Sequence, residues 1–190
     1  MGMEFNRIQF TPDVVPSDVT GFTMYDKQSG QFLYRPGAVM CNLLLADEIN
    51  RTSSKTQSAL LEVMEEGRVT VDGETHTVPA PFVVIATENP VGSSGTQLLP
   101  ESQLDRFMIS VSMGYPDHQS LVELLRDRQK VNPLEHAKTV LTREEVLNLQ
   151  KKVQEVYVAD VVLDYIAKLA EATRDHELIT LGLSPRGTLA

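Results

Sequence analysis

Apolar and polar positions follow two different rhythms along this chain, and the change falls near residues 114–117. Before it, apolar runs of strand length are separated by Gly- and Pro-bearing turns, with one helical stretch among them. Residues 6–10 read as a short strand that stops at Thr11-Pro12, and Pro12, Pro16 and Gly21 mark the next stretch as a loop. Residues 23–25 and 31–34 flank 26–30 as an extended hairpin. Residues 42–46 form a continuous run ending in Asp47-Glu48, the pattern of a strand buried on both faces of a parallel sheet. A helix is expected next. Ser54 and Gln57 have capping-box spacing, Thr56, Leu60, Val63 and Met64 share a face, and Gly67 closes the C-terminus. Residues 68–71 and 75–78 around Asp72-Gly73 predict a hairpin with a type I′ turn. Residues 82–87 are a second buried-strand run, ending in Glu88-Asn89-Pro90. Strand, helix and strand in this order call for a parallel crossover and an α/β sheet.

After the change the period is helical throughout. Asp117 is placed to cap a helix through residue 129, with Leu121, Leu124 and Leu125 facing inward. Thr142 and Glu145 form a capping box for a helix carrying Val146, Leu149, Val153 and Val156. Asp160 opens a third, with Leu163, Ile166, Ala167 and Ala170 inward, and Ser184-Pro185 opens a fourth within sight of Ala190. The expected domains are therefore an α/β core over residues 1–116 and a helical unit over 117–190.

Composition narrows the class. Apolar residues make up 42% and charged residues 23%, as in an ordinary globular domain. No apolar run approaches the length of a membrane span, no signal peptide opens the chain, and Cys41 alone cannot make an intramolecular disulfide. These features fit a cytoplasmic setting without membrane insertion. A net charge of −9 argues against broad nucleic-acid binding, which needs clustered Lys and Arg to displace counterions. Any triphosphate would have to be held by a few well-aimed groups and a metal ion.

Four places carry candidate chemistry. Asp47 and Glu48 stand where a buried strand delivers two carboxylates to the C-terminal edge of a parallel sheet, the edge at which α/β proteins bind ligands. One such carboxylate can hold Mg²⁺ and the next can polarise an attacking water, although strands often end in acidic residues for no chemical purpose. Asn89 ends the neighbouring strand, where an amide could sense a γ-phosphate or could simply make an Asn-Pro turn. Arg106 is expected in a short helix after the Gly/Ser-rich loop at residues 92–95. It pairs either with Asp105 or Glu101 at the surface or with a neighbouring subunit's phosphates. Arg186 opens the last helix, where a cation is mildly unfavourable unless it serves an anion.

The order of these places, and the strings around them, resemble the MoxR family of AAA+ ATPases. The resemblance is carried by Arg7-Ile8-Gln9-Phe10-Thr11-Pro12-Asp13, by Leu44-Leu45-Ala46-Asp47-Glu48-Ile49-Asn50-Arg51, by Ala86-Thr87-Glu88-Asn89-Pro90, by Leu99-Pro100-Glu101-Ser102-Gln103-Leu104-Asp105-Arg106-Phe107 and by Ser184-Pro185-Arg186. It implies a fold: a partial AAA+ P-loop NTPase core, a parallel sheet flanked by helices with hairpin inserts, followed by an incomplete all-helical lid. It also implies roles. Asp47 and Glu48 match the Walker B pair, with Asp47 on the metal and Glu48 as catalytic base. Asn89 matches sensor 1, Arg106 the arginine finger acting across a subunit interface, and Arg186 sensor 2. The cofactors implied are ATP and Mg²⁺. The partners implied are further copies in a ring, usually a hexamer, and a von Willebrand factor A-domain protein. The function implied is chaperone-like remodelling or activation of client proteins by ATP hydrolysis.

One element of the pattern is missing from the string of residues. No G-x-x-x-x-G-K-[ST] sequence occurs, and the family places that phosphate-binding loop upstream of the strand matching residues 6–10. The 190-residue chain alone is therefore expected to be inactive and to expose apolar sheet surface. The alternative is a non-catalytic protein-interaction module derived from the same fold. A third reading, a phosphoryl-accepting receiver built on Asp47, wants an acidic pair on an earlier strand, and residues 6–10 end in neither.

Overall fold

The computed structural model describes residues 2–89, 98–128 and 136–189. The expected Gly/Ser-rich loop at 92–95, Pro90 and the end of the first lid helix at residue 129 lie outside them.

Three parallel strands form the central sheet in the order β1-β4-β7: β1 (Phe5–Gln9), β4 (Leu43–Asp47) and β7 (Val83–Ala86). The register sets Arg7 beside Leu45, Gln9 beside Asp47 and Ala46 beside Ala86. Strand alternation then divides the sheet. Leu44 and Ala46 are fully buried and pack with Phe10, Val19, Val39, Ile49, Leu60, Leu61 and Val63. Burying each large side chain of this group stabilises by about 1.5–3 kcal/mol before chain entropy is counted. The other face is not covered among the described residues. Phe5 is 60% and Ile85 53% exposed there, so the expectation of strands buried on both faces holds for one face only.

The crossover from β4 to β7 runs through a single 3-10 turn (Ile49–Arg51) and α2 (Ser54–Glu66). Ser53, not Ser54, caps α2, since its Oγ accepts from Thr56 N at 3.3 Å. Gln57 completes no capping box; its amide is drawn inward to donate to Ile49 O and Thr52 O. Gly67 ends the helix at φ 63°, a left-handed conformation that glycine adopts without a Cβ clash. The hairpin of β5 (Arg68–Val71) and β6 (Glu74–Thr77) turns at Asp72 and Gly73, both at positive φ, as a type I′ turn requires. Val78 N donates to Gly67 O, and Asn42, just before β4, donates to Pro79 O and Pro81 O. The far end of α2 therefore lies at the start of the strands, opposite Asp47.

A second hairpin, β2 (Gly21–Asp26) and β3 (Gln31–Pro36), is longer than the sequence pattern predicts. The stretch before it is not all loop. Pro16 opens a helix, α1 (Pro16–Thr20), whose first turn needs no proline N–H, and Asp18 accepts from Val15 N. The two hairpins meet where Tyr34 stacks on His76 with ring centroids 3.7 Å apart.

Beyond α3 (Glu101–Leu104) the chain is helical: α4 (His118–Arg128), α5 (Arg143–Gln154), α6 (Asp160–Asp175) and α7 (Pro185–Leu189). Asp117 and the Thr142–Glu145 box cap as expected. Asp160 does not cap α6; it sits in the first turn behind Ala159. The larger difference is in burial. Leu121, Leu124, Leu125, Leu149, Val153, Val156, Leu163 and Ile166 were expected to face inward and are exposed, and of these helices only Ala170 is buried. The amphipathic pattern forms the helices, but no described element covers their apolar stripes.

Candidate functional site

The end of β4 collects one group of polar side chains. Glu48 stands at φ 53° and ψ 49°, left-handed backbone that costs a non-glycine residue on the order of 1–3 kcal/mol. This kink stops the strand and turns the Glu48 side chain back across the sheet edge. Its N–H donates to Thr87 Oγ1 at 2.9 Å, and Ile49 N donates to Thr87 O. Thr87 Oγ1 in turn donates to Asp47 Oδ1 at 2.6 Å, while Arg7 Nη2 reaches Asp47 Oδ2 at 2.5 Å. The Thr87 hydroxyl, then Arg7, hold the Asp47 carboxyl below the usual carboxylate range. Glu48 Oε2 accepts from Arg51 Nη1 at 2.8 Å and from Gln9 Nε2 at 2.9 Å. The Arg51 hydrogen bond, with a smaller contribution from the Asn89 side chain, lowers its pKa as well. Asn50 ties the end of β7 to this turn, donating to Asn89 O and accepting from Asn89 N.

Asp47, Glu48 and Asn89 are thus brought together, and both carboxylates stay ionised at neutral pH. An oxygen-donor set of this kind suits a hard divalent cation such as Mg²⁺, which takes one or two carboxylates and completes its shell with water and phosphate oxygens. Among the described residues there is no cluster of three or more His, Cys, Asp or Glu that could hold a metal ion. Arg7, Gln9, Arg51, Thr87 and Asn50 are site residues that the sequence pattern did not single out. The signal for Gln9 is the parallel register, which sets it directly beside Asp47.

Arg106 and Arg186 lie elsewhere. Arg106 is not inside a helix but follows α3 in a turn, with Arg106 N donating to Gln103 O. Its Nη1 donates to Glu65 Oε2 at 2.6 Å and to Leu61 O at 3.2 Å. Arg186 Nη2 donates to the other oxygen of the same side chain, Glu65 Oε1, at 2.7 Å. Glu65 is eleven residues beyond Ser54, and at 1.5 Å per residue that is about 16 Å along α2, away from Glu48. Ser58, Leu61, Glu62, Glu65, Glu66, Gln103 and Arg106 line a cleft of about 260 Å³. Two buried atoms at this cleft, Arg106 Nε and Gln103 Oε1, make no hydrogen bond among the described residues. Each unmet polar group of this kind costs about 1–3 kcal/mol.

Comparison with known proteins places this arrangement. Residues 1–109 match the family described as "ATPase family associated with various cellular activities (AAA)". The chain belongs to that family. Over its whole length it is 50% identical to the uncharacterized protein YeaC of Bacillus subtilis and 40% identical to the chaperone MoxR1 of Mycobacterium tuberculosis. It covers 59% of the first and 52% of the second, so it spans little more than half the length of these relatives. A crystal structure of a Cytophaga hutchinsonii protein assigned as an ATPase superposes with a TM-score of 0.86 at 38% identity, covering all of this chain and 60% of that one. The MoxR-type resemblance of the sequence strings stands, and the parallel sheet flanked by helices is an AAA ATPase core.

Proposed function

We propose that the protein containing this chain is an ATP hydrolase that couples nucleotide turnover to chaperone-like remodelling or activation of client proteins. The observation that carries the reading is the ionised Asp47–Glu48 pair at the C-terminal end of β4, with Thr87 and Asn89 from the neighbouring β7 beside it. Asp47 would hold Mg²⁺, which neutralises charge on the phosphates when bound. Glu48 accepts the proton of the attacking water, a role its lowered pKa permits because the group is ionised at neutral pH. Asn89, joined to Glu48, orients that water or the terminal phosphate. Arg106 completes the site of an adjoining copy in a ring, a hexamer by the resemblance. The core at 1–116, the lid at 117–190, a cytoplasmic location and a von Willebrand factor A-domain partner belong to the same proposal. No helix among the described residues is long and apolar enough to cross a membrane.

The test is Glu48→Gln in the full-length protein. Mg²⁺-dependent hydrolysis should fall by about 10²–10⁴ while a fluorescent ATP analogue binds as before. Unchanged turnover would remove Glu48 as the base. The 190-residue chain by itself is expected to show no turnover, because it contains no phosphate-binding loop sequence.

A second reading, a non-catalytic interaction module, is favoured by the exposed apolar stripes of α5 and α6, including Val153, Val161 and Tyr165. It predicts that a client still binds and is still remodelled in the Glu48→Gln protein.

A further inference from the structure

Both oxygens of the Asp47 carboxylate are engaged, and by two different kinds of donor. Oδ1 accepts from the neutral Thr87 hydroxyl at 2.6 Å, and Oδ2 from the Arg7 guanidinium at 2.5 Å. A hydroxyl can turn its proton aside and stay in place, because its oxygen is also an acceptor. A guanidinium carries donors only and a full positive charge, so it and a divalent cation exclude each other from one carboxylate oxygen. Arg7 reaches that oxygen from β1. Gln9 is the residue in register with Asp47, and Arg7, two positions earlier, lies on the same face of the strand as Gln9. The Arg7 side chain is 55% exposed and that of Asp47 23%, so the pair can part without leaving a buried charge unpaired. Parting does not strand the guanidinium either, since Arg7 Nη2 also donates to Gln9 Oε1 at 3.1 Å. Arg51 stands apart from this contact, because its carboxylate partner is Glu48.

We infer that Arg7 is a displaceable counter-cation of the metal site. It holds Asp47 in place while no metal is bound, and it competes with the divalent cation for Asp47 Oδ2. Arg7 therefore sets the metal affinity of the site without being a metal ligand. This rests on the reading of Asp47 as the metal carboxylate.

The experiment uses the full-length protein, held in excess over a non-hydrolysable ATP analogue and titrated with Mn²⁺ while the signal of the free ion is followed by electron paramagnetic resonance. Arg7→Met should bind Mn²⁺ about two- to fivefold more tightly than wild type, the worth of one exposed ion pair. Arg7→Lys, which keeps the charge, should stay within about twofold of wild type. On an Asp47→Asn background Arg7→Met should have no further effect. Reciprocity supplies a second readout. In EDTA the Arg7→Met protein should unfold at a lower temperature than wild type, and saturating Mn²⁺ with the analogue should close that gap. An Mn²⁺ affinity that is unchanged or weaker in Arg7→Met would overturn the inference. The Asp47→Asn protein separates the two readings. If it loses Mn²⁺ binding while Arg7→Met binds like wild type, only the role of Arg7 falls. If it binds Mn²⁺ as wild type does, Asp47 is not the metal carboxylate and both readings of the residue fall.

Discussion

The two ends of α2 are built on opposite charge logic. At its N-terminal end two carboxylates each have their own arginine, Asp47 with Arg7 and Glu48 with Arg51. At its C-terminal end two arginines share Glu65, and Asp105 stands beside one of them. The first end pairs each carboxylate with one guanidinium, and on the proposed reading a divalent cation would take the place of Arg7. The second is acidic around its arginines, with Glu62 and Glu66 lining the same cleft and Asp105 3.8 Å from Arg186. A helix of thirteen residues fixes the distance between them. On the reading proposed above, the two ends would belong to a site assembled between two copies.

The comparison breaks hardest at Arg106. If the two ends belong to one intermolecular site, Arg106→Ala in the full-length protein should lower kcat by about 10³–10⁵, the range for a cation supplied in trans. Mixing Arg106→Ala with Glu48→Gln protein should restore turnover at mixed interfaces, because each protein supplies the end the other lacks. Failure of any mixture to exceed the activity of either variant would mean that both ends serve the same subunit.

Thr87→Val sharpens the other end. It removes the hydroxyl that donates to Asp47 and accepts from Glu48 N while keeping the side-chain shape. Hydrogen bonds to charged groups contribute about 1.5–3 kcal/mol, and exposure of this edge reduces the expected loss to about 1–2 kcal/mol. Its pH dependence follows from the lowered Asp47 pKa. Between the lowered folded value and the ordinary one of about 3.9, the unfolded chain binds more protons than the folded chain. The stabilisation is whole above the ordinary value and is lost as pH falls through the folded one. The gap in thermal unfolding temperature between wild type and variant should therefore persist near neutral pH and close in acid. A gap that widens on acidification would contradict the assignment.

What could be read from the sequence follows the range of each interaction. Asp72-Gly73 announced its turn because both residues needed positive φ, a property of two adjacent positions. Asp47, Glu48 and Asn89 were legible because adjacent parallel strands must end at the same edge. Arg7, Gln9 and Thr87 were not, since their roles depend on register and on side-chain reach across the sheet. The pairing of Arg186 with Glu65 spans 121 residues and leaves no local pattern. The apolar stripes of α4 to α6 show the converse. Period predicted the helices correctly, but period reports only that a stripe exists, not what lies against it.

The smallest expected effect concerns the helix that separates the two ends. Spacing to Gln57 predicts Ser54 as the cap. Packing decides otherwise, because Gln57 is buried and its amide is committed to Ile49 O and Thr52 O. Ser53 Oγ is then the group that meets Thr56 N at the first turn. Ser53→Ala should destabilise the chain by about 1 kcal/mol, the ordinary cost of losing such a cap. Ser54→Ala should stay within about 0.5 kcal/mol, as an exposed first-turn substitution does. Urea unfolding of the two variants side by side checks the order. A larger loss at Ser54 would mean that α2 begins one residue later.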